Sequence, residues 1–226
     1  MTFASSFGRV LSPTFQPKSQ AVGGKWWLAG NINPANCVAA YQPKGAASYA
    51  ASLIDLSGSG HNATKAPNDP DWDATNGWTF DIANSERLST GVPVNSGYSA
   101  IVRFTGAGDG LRSVFGAYYA AGGIYGSYDI VPNRYSKVYY CNTSVAPQCV
   151  NGVLALAGNK GYRNGTKETE SASPKDTYIY PLCIGASSNA GNYYQGWSGS
   201  VQSFSLYNVI LTDIQVALVS TAMAAL

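Results

Sequence analysis

Three groups of side chains in this sequence have the types and spacing to do chemistry. The first is carboxylates. Glu168-Thr169-Glu170 comes nearest to the paired acids of glycoside hydrolysis, which need a rigid separation of roughly 5–10 Å. It falls in the polar stretch 167–175, which reads as a loop, and a loop does not hold two acids at a fixed separation. A nucleophile relay would have to use His61, the one histidine of the chain, in a glycine-rich turn with no Gly-x-Ser-x-Gly signal. A lone histidine also excludes a multi-histidine metal or acid–base site within one chain. No residue is assigned a catalytic role, and the chain is expected not to be an enzyme.

The second group is Asp69, Asp71 and Asp73, which alternate like the first three ligands of a calcium loop. Such a loop needs Gly at its sixth position and a bidentate Glu at its twelfth. Here those positions hold Ala74 and Phe80, so this is not an EF-hand. A structural calcium on the three aspartates and a solvated acidic turn beside Pro67 and Pro70 remain as two readings; no other cofactor is expected. The third group is aromatic. In the segment 187–197, Tyr193, Tyr194 and Trp197 stand beside Asn189, Asn192 and Gln195. Sugars offer C–H faces to rings and hydroxyl edges to amides, so this is a candidate glycan site. A second set is Tyr118, Tyr119, Tyr125 and Tyr128. The competing reading places these rings in the core or at subunit contacts, where Tyr and Trp are enriched.

These groups sit in a chain of 226 residues with 14 Lys+Arg, 12 Asp+Glu and a formal net charge of +2. That length fits one domain of ordinary size, with room for an arm. Hydrophobic residues make up 45% and charged residues 12%, which excludes general disorder and a basic nucleic-acid footprint. The 25 glycines and 16 tyrosines read as mostly β structure with many turns. The N-terminus lacks the cationic start and apolar core of a signal peptide, and no run of 18 apolar residues predicts a membrane span. The four cysteines, at 37, 141, 149 and 183, form no CxxC pair, which argues against structural zinc. A Cys141–Cys149 bridge across a Pro-containing segment and buried free thiols both fit the spacing. Asn-x-Ser/Thr sequons at Asn62, Asn142 and Asn164 matter only in a eukaryotic secretory route.

Residues 1–36 have no stable period and carry Phe3, Phe7, Phe15, Trp26 and Trp27 among Pro13, Pro17 and Pro34. They read as an extended arm for attachment and assembly, or as a segment wrapped on its own core. From Cys37 on, β-type runs alternate with turn clusters at the spacing of a sandwich or barrel. Strands are expected at Val38–Tyr41, Trp78–Ile82, Tyr98–Phe104, Arg112–Tyr119, Gly123–Ile130, Lys137–Cys141, Val150–Ala157, Tyr178–Ile184 and Gly199–Tyr207. In the last, Val201, Ser203, Ser205 and Tyr207 are expected on one face and the rest on the other, giving a core side and a wet side. Asn164-Gly165 predicts a hairpin turn. Thr212 as N-cap, Asp213 in the first turn and apolar residues at helical spacing predict one helix over about 213–224.

The stretch Asp55-Leu56-Ser57-Gly58-Ser59-Gly60-His61-Asn62-Ala63 resembles the segment that opens laminin-G-like, concanavalin A-type sandwich domains. Gly77-Trp78-Thr79-Phe80 with Leu88-Ser89-Thr90, then Gly161-Tyr162-Arg163-Asn164-Gly165, then Ile184-Gly185-Ala186 and Leu206 to Thr212 are similar to later motifs of that family, in the same order. The resemblance covers roughly residues 50–220, and with the segments 37–48 and 220–226 the chain also resembles domains found in tail and other virion proteins of bacteriophages. It implies an all-β antiparallel sandwich of concanavalin A-like jelly-roll type over 37–226, ending in the helix. Asp55, Gly58 and Gly60 suit a tight loop with positive φ, and aromatics at 78, 80, 178, 180 and 197 suit an inter-sheet core. The function implied is a structural protein on the surface of the virion, decorating capsid or tail. Its expected partners are other virion proteins through the arm, itself as a homo-oligomer, and host-surface glycan. The alternative is a free lectin-like carbohydrate-binding module or secreted adhesin domain. Neither nucleic acid nor a membrane is an expected partner.

Overall fold

The computed structural model describes residues 24–106, 110, 112–121, 124–174, 180–189 and 192–226. Phe3, Phe7 and Phe15 of the expected arm, and Tyr178, lie outside the described residues. In chain order the elements are β1 (Cys37–Tyr41), α1 (Tyr49–Ser52), β2 (Thr64–Lys65), β3 (Asp71–Asp73), β4 (Gly77–Phe80), β5 (Leu88–Pro93), β6 (Ser99–Thr105), β7 (Phe115–Ala121) and β8 (Ile124–Arg134). They continue with β9 (Lys137–Tyr140), β10 (Thr143–Val145), β11 (Asn151–Ala157), β12 (Lys160–Arg163), β13 (Thr166–Thr169), β14 (Pro181–Ile184), β15 (Ser187–Asn189), β16 (Asn192–Tyr194), β17 (Gly199–Tyr207) and α2 (Asp213–Ala224). The fold is a sandwich of two antiparallel sheets with one C-terminal helix. Sheet A has the order β13-β12-β11-β6-β17-β4-β3, with β1 pairing the end of β17; sheet B has the order β10-β9-β8-β7-β14-β5-β2, with β15 beside β7 and β16 beside β15.

Register sets which residues meet. In sheet A, Leu154, Val102, Phe204 and Tyr41 stand opposite one another in one row and face the inter-sheet core. The next row, Ala155, Ile101, Ser205 and Ala40, faces the other way. Phe115 of sheet B meets Phe204 of sheet A edge to face, with ring centroids 5.5 Å apart, in the geometry that ring quadrupoles favour. A bulge between Val201 and Ser203 breaks the expected alternation. Val201 therefore joins Phe204 and Leu206 inside, while Ser203 and Ser205 turn outward. Gly77, at φ +82°, lies against this bulge, and a Cβ there would strike the Val201 carbonyl.

The expected wet side of β17 is not wet. α2 and a 3-10 turn at Trp26–Leu28 cover the outer face of sheet A, and Ile101, Val153, Ala155, Tyr162 and Tyr207 form a second core with Val216, Val219 and Met223. Ser203 and Ser205 are fully buried there, where small side chains admit a helix. The helix starts where the sequence places it. Thr212 Oγ1 accepts from Gln215 N at 3.2 Å and the Gln215 side chain accepts from Thr212 N, a reciprocal capping box that satisfies donors otherwise orphaned at a helix start.

Trp26 and Trp27 are 6% and 8% exposed. Trp26 Nε1 donates to Gln42 Oε1 at 3.0 Å, and Tyr207 OH donates to the Trp27 carbonyl at 2.8 Å. Two large apolar rings beside an uncovered sheet face gain most by packing on it, so these indoles seal their own sandwich and do not reach out as an attachment surface.

Candidate functional site

The outer face of sheet B carries the group best suited to meeting a ligand. β14 leaves β7 through a turn at Gly185, and β15 then runs parallel to β7, with Ser187 opposite Gly116 and Asn189 opposite Tyr118. β16 folds back on β15 and sets Tyr194 opposite Ser187. Gly116 has no side chain, and a Cβ there would land on Ser187 Oγ. That gap lets the two aromatic sets meet: the rings of Tyr118 and Tyr194 lie 4.7 Å apart at 32°. Both are half-buried, so each is held in place by its neighbours and still keeps part of its surface in solvent.

Polar groups rigidify this pair from below. Ser113 N donates to the Gln195 carbonyl at 2.9 Å. Ser113 Oγ lies 2.8 Å from Gln195 Oε1 and 3.1 Å from Asp129 Oδ2. A hydroxyl has one hydrogen, so Ser113 donates to one of the two, and the second hydrogen comes from a protonated Asp129 or from the Gln195 amide turned to present its nitrogen. Burial pushes the Asp129 carboxyl up to about 6, against the opposing pull of Ser127, Ser113 and Arg134. Gln195 takes φ +51° and turns the chain under the hairpin. The Arg87 guanidinium lies 5.6 Å from the centre of the Tyr193 ring, a cation–π contact, and the Tyr193 hydroxyl sits directly over Gly196.

The structure gathers some of the sequence candidates and disperses others. Tyr193, Tyr194, Asn192 and Gln195 share the β16 hairpin, with Asn192 exposed. Trp197 does not join them. It is 0% exposed and sits in the inter-sheet core, 6.3 Å from Phe80 and 5.9 Å from Phe104 between ring centroids. Three residues past Tyr194 the chain has already turned inward, so Trp197 has no face for a sugar.

The three aspartates do not converge. Asp69 accepts from Tyr49 OH at 2.7 Å and pairs with Lys65. Asp71 is an exposed residue of β3. Asp73 accepts from the Thr75 and Asn76 amides of its own turn at 2.8 Å. Among the described residues no group of three His, Cys, Asp or Glu side chains is placed to hold a metal ion.

All four cysteines are buried free thiols, so the Cys141–Cys149 bridge is not made. Cys141 Sγ is 3.8 Å from the Asp129 carbonyl and Cys149 Sγ 3.1 Å from that of Asn151, two separate partners. Glu168 lies on strand β13, not on a loop. It pairs with Arg163 at 2.8 Å and accepts from Tyr140 OH at 2.8 Å, while Glu170 pairs with Lys167. Each carboxylate is committed to its own cation. The Asp55 loop is a structural staple: Asp55 Oδ1 accepts from Ala40 N and Ser57 N, both at 2.9 Å, and Oδ2 from His61 N at 3.2 Å. Gly58 and Gly60 take φ +87° and +84° as the loop requires.

Ser113 and Asp129, and the meeting of Tyr118 with Tyr194, escape sequence reading. The one local signal is Gly116, a glycine inside a strand, which marks close approach by another segment.

No protein-family model and no curated protein matches the sequence. Solved structures do match its fold. A mutant of Trypanosoma rangeli sialidase displaying trans-sialidase activity superposes with a TM-score of 0.58 at 14% identity, over 85% of this chain and 34% of its own. Trypanosoma rangeli sialidase in complex with sialic acid gives 0.59 at 13%, over 84% and 33%. Domain 4 of AbnA, a GH43 extracellular arabinanase from Geobacillus stearothermophilus, in complex with arabinotriose, gives 0.54 at 15%, over 82% of this chain and 98% of that domain. The chain thus spans about a third of the sialidase chains. At these identities the likeness is one of fold, and it agrees with the concanavalin A-like resemblance at the level of a β-sandwich. It corrects one expectation: the chain was set apart from enzymes, yet the solved chains that share its sandwich belong to a sialidase and an arabinanase. None of these three is a virion protein, so the virion attribution gains nothing from them.

Proposed function

We propose that this chain is a carbohydrate-binding β-sandwich module and that the Tyr118–Tyr194 face of sheet B receives the glycan. The observation that carries the reading is that ring pair, 4.7 Å apart and half-buried, beside the exposed Asn192 amide. Rings take up the C–H faces of sugars and amides satisfy their hydroxyls. The fold supports the reading, because the arabinanase domain that this chain covers almost end to end was solved with arabinotriose. The chain's span of about a third of the sialidase chains fits a module that works beside other domains.

Calorimetric titration of the chain with a panel holding arabinotriose and sialylated and neutral oligosaccharides tests this. Saturable binding to at least one member is expected, with Tyr194→Ala weakening it at least about tenfold, the effect of about 1.4 kcal/mol. No saturable binding across the panel, or unchanged affinity in Tyr194→Ala, overturns the reading.

A further inference from the structure

Sheet A outlasts the helix that covers it. Where α2 ends at Ala224, the outer face of sheet A continues as a hollow of about 260 Å³, with polar side chains from Arg103, Thr105, Asn151, Asn164 and Gln202 around apolar surface from Phe104, Gly152, Val153 and Ala224. Under α2 the same face is apolar; here every one of these five side chains bears a hydrogen-bonding group. The backbone is shaped to present them. Gln202 is the extra residue of the β17 bulge, a device that re-aims a side chain. Among the described residues its side chain has no hydrogen-bond partner, while its carbonyl accepts from Lys44 N. Asn164 Oδ1 accepts from Val153 N at 2.9 Å, which leaves the Asn164 amino group as a donor. Gly152 takes φ +125°, and a Cβ there would meet Asn164 Oδ1 at 2.6 Å.

The chemistry of the lining selects the ligand. It contains no carboxylate, so it does not suit a cation. Arg103 Nη1 donates to the Met223 carbonyl at 2.7 Å, at the negative end of the α2 dipole, which offsets its charge. Among the described residues no carboxylate pairs with Arg103. What remains is the rest of the guanidinium, the Asn164 amino group, the Asn151 and Gln202 amides and a hydroxyl beside apolar surface, a mixed set that matches vicinal hydroxyls and the C–H face of a sugar ring. The volume is just under the roughly 300 Å³ at which pockets for larger ligands begin, which suits one ring. We infer that this hollow seats a single neutral sugar residue, on the opposite side of the sandwich from the tyrosine face and independently of it.

Nitrogen-15 correlation spectra of the side-chain amides, recorded while arabinose, galactose or glucose is added, test the inference. The Asn151, Asn164 and Gln202 amide signals are expected to shift and saturate with at least one of these sugars. Ala224→Trp, at the exposed last residue of α2, is expected to abolish the shifts by filling the hollow. Asn151→Ala, also exposed, is expected to weaken binding at least about tenfold. Tyr194→Ala is expected to leave all of this unchanged, so failure here and failure of the tyrosine face are separate results. Absence of saturable shifts, their persistence in Ala224→Trp, or saturation only by a carboxylated sugar such as glucuronate overturns the inference.

Discussion

The two outer faces of the sandwich begin alike and end differently. Each is the reverse side of a sheet whose inner rows fill the same core. On sheet A the reverse side, with Ile101, Val153 and Ala155, is sealed by Val216, Val219 and Met223 of α2 and by Trp26 and Trp27. On sheet B it carries Gly116, Asp129, Ser113, Tyr118 and the β16 hairpin, linked by hydrogen bonds and ring contacts. Local alternation gives every strand two sides but does not say which one meets water. That is settled by which chain segments are left over to cover it.

The contrast predicts unequal sensitivities. Met223→Ala, in the sealed face, removes a fully buried side chain and is expected to cost about 2–5 kcal/mol, read as a lower urea midpoint. A loss under about 0.5 kcal/mol, the range of ordinary surface changes, would mean that α2 is not the seal.

The Asp129 carboxyl is expected to produce the next largest effect, and one that depends on pH. Its folded value of about 6 stands above its ordinary 3.8, so the folded chain holds the proton more tightly. The stability this gives is full below about pH 4 and is lost as pH rises through about 6. A gap of about two pH units corresponds to on the order of 3 kcal/mol. Asp129→Asn should therefore melt higher than the parent at neutral pH, where the buried carboxyl is charged, and level with it near pH 4; parallel profiles would deny that burial raises this carboxyl. Thr212→Ala removes one half of the capping box and is expected to cost about 1 kcal/mol, with the loss visible in helical circular dichroism. Smallest of all, Tyr194→Ala is expected to change stability by less than about 0.5 kcal/mol while weakening glycan binding at least about tenfold, the signature of a face kept for a ligand.

Much of the fold was legible because its signals are local. The α2 boundaries follow from Thr212, Asp213 and the apolar spacing behind them. Asn164 and Gly165 take φ +48° and +80°, the hairpin turn that the dipeptide favours. β6 and β17 show as alternating runs with β-branched and aromatic residues, and β11 as a short apolar run. Short strands with polar or mixed sequences, such as β13 and β15, were illegible, because their pairing rests on neighbours distant in sequence. The turns at Tyr135-Ser136 and Cys141-Asn142 take positive φ without glycine and gave no warning. Half of the candidate site was legible: the segment with Tyr193 and Tyr194 announced itself by composition. Trp197 stands in the same segment but belongs to the core, as the sandwich resemblance implied, since depth depends on where the chain turns.

By itself the sequence determined the longer strands, the helix and its cap, the glycine-bearing Asp55 loop and the supply of aromatic residues, because each depends on backbone preferences within a few residues. Tertiary structure alone decided that Trp26 and Trp27 close the sandwich, that Ser203 and Ser205 lie under a helix, and that Tyr118 and Tyr194 share a face. Those outcomes turn on strand order and on which surface a leftover segment can bury, and both are properties of the whole chain.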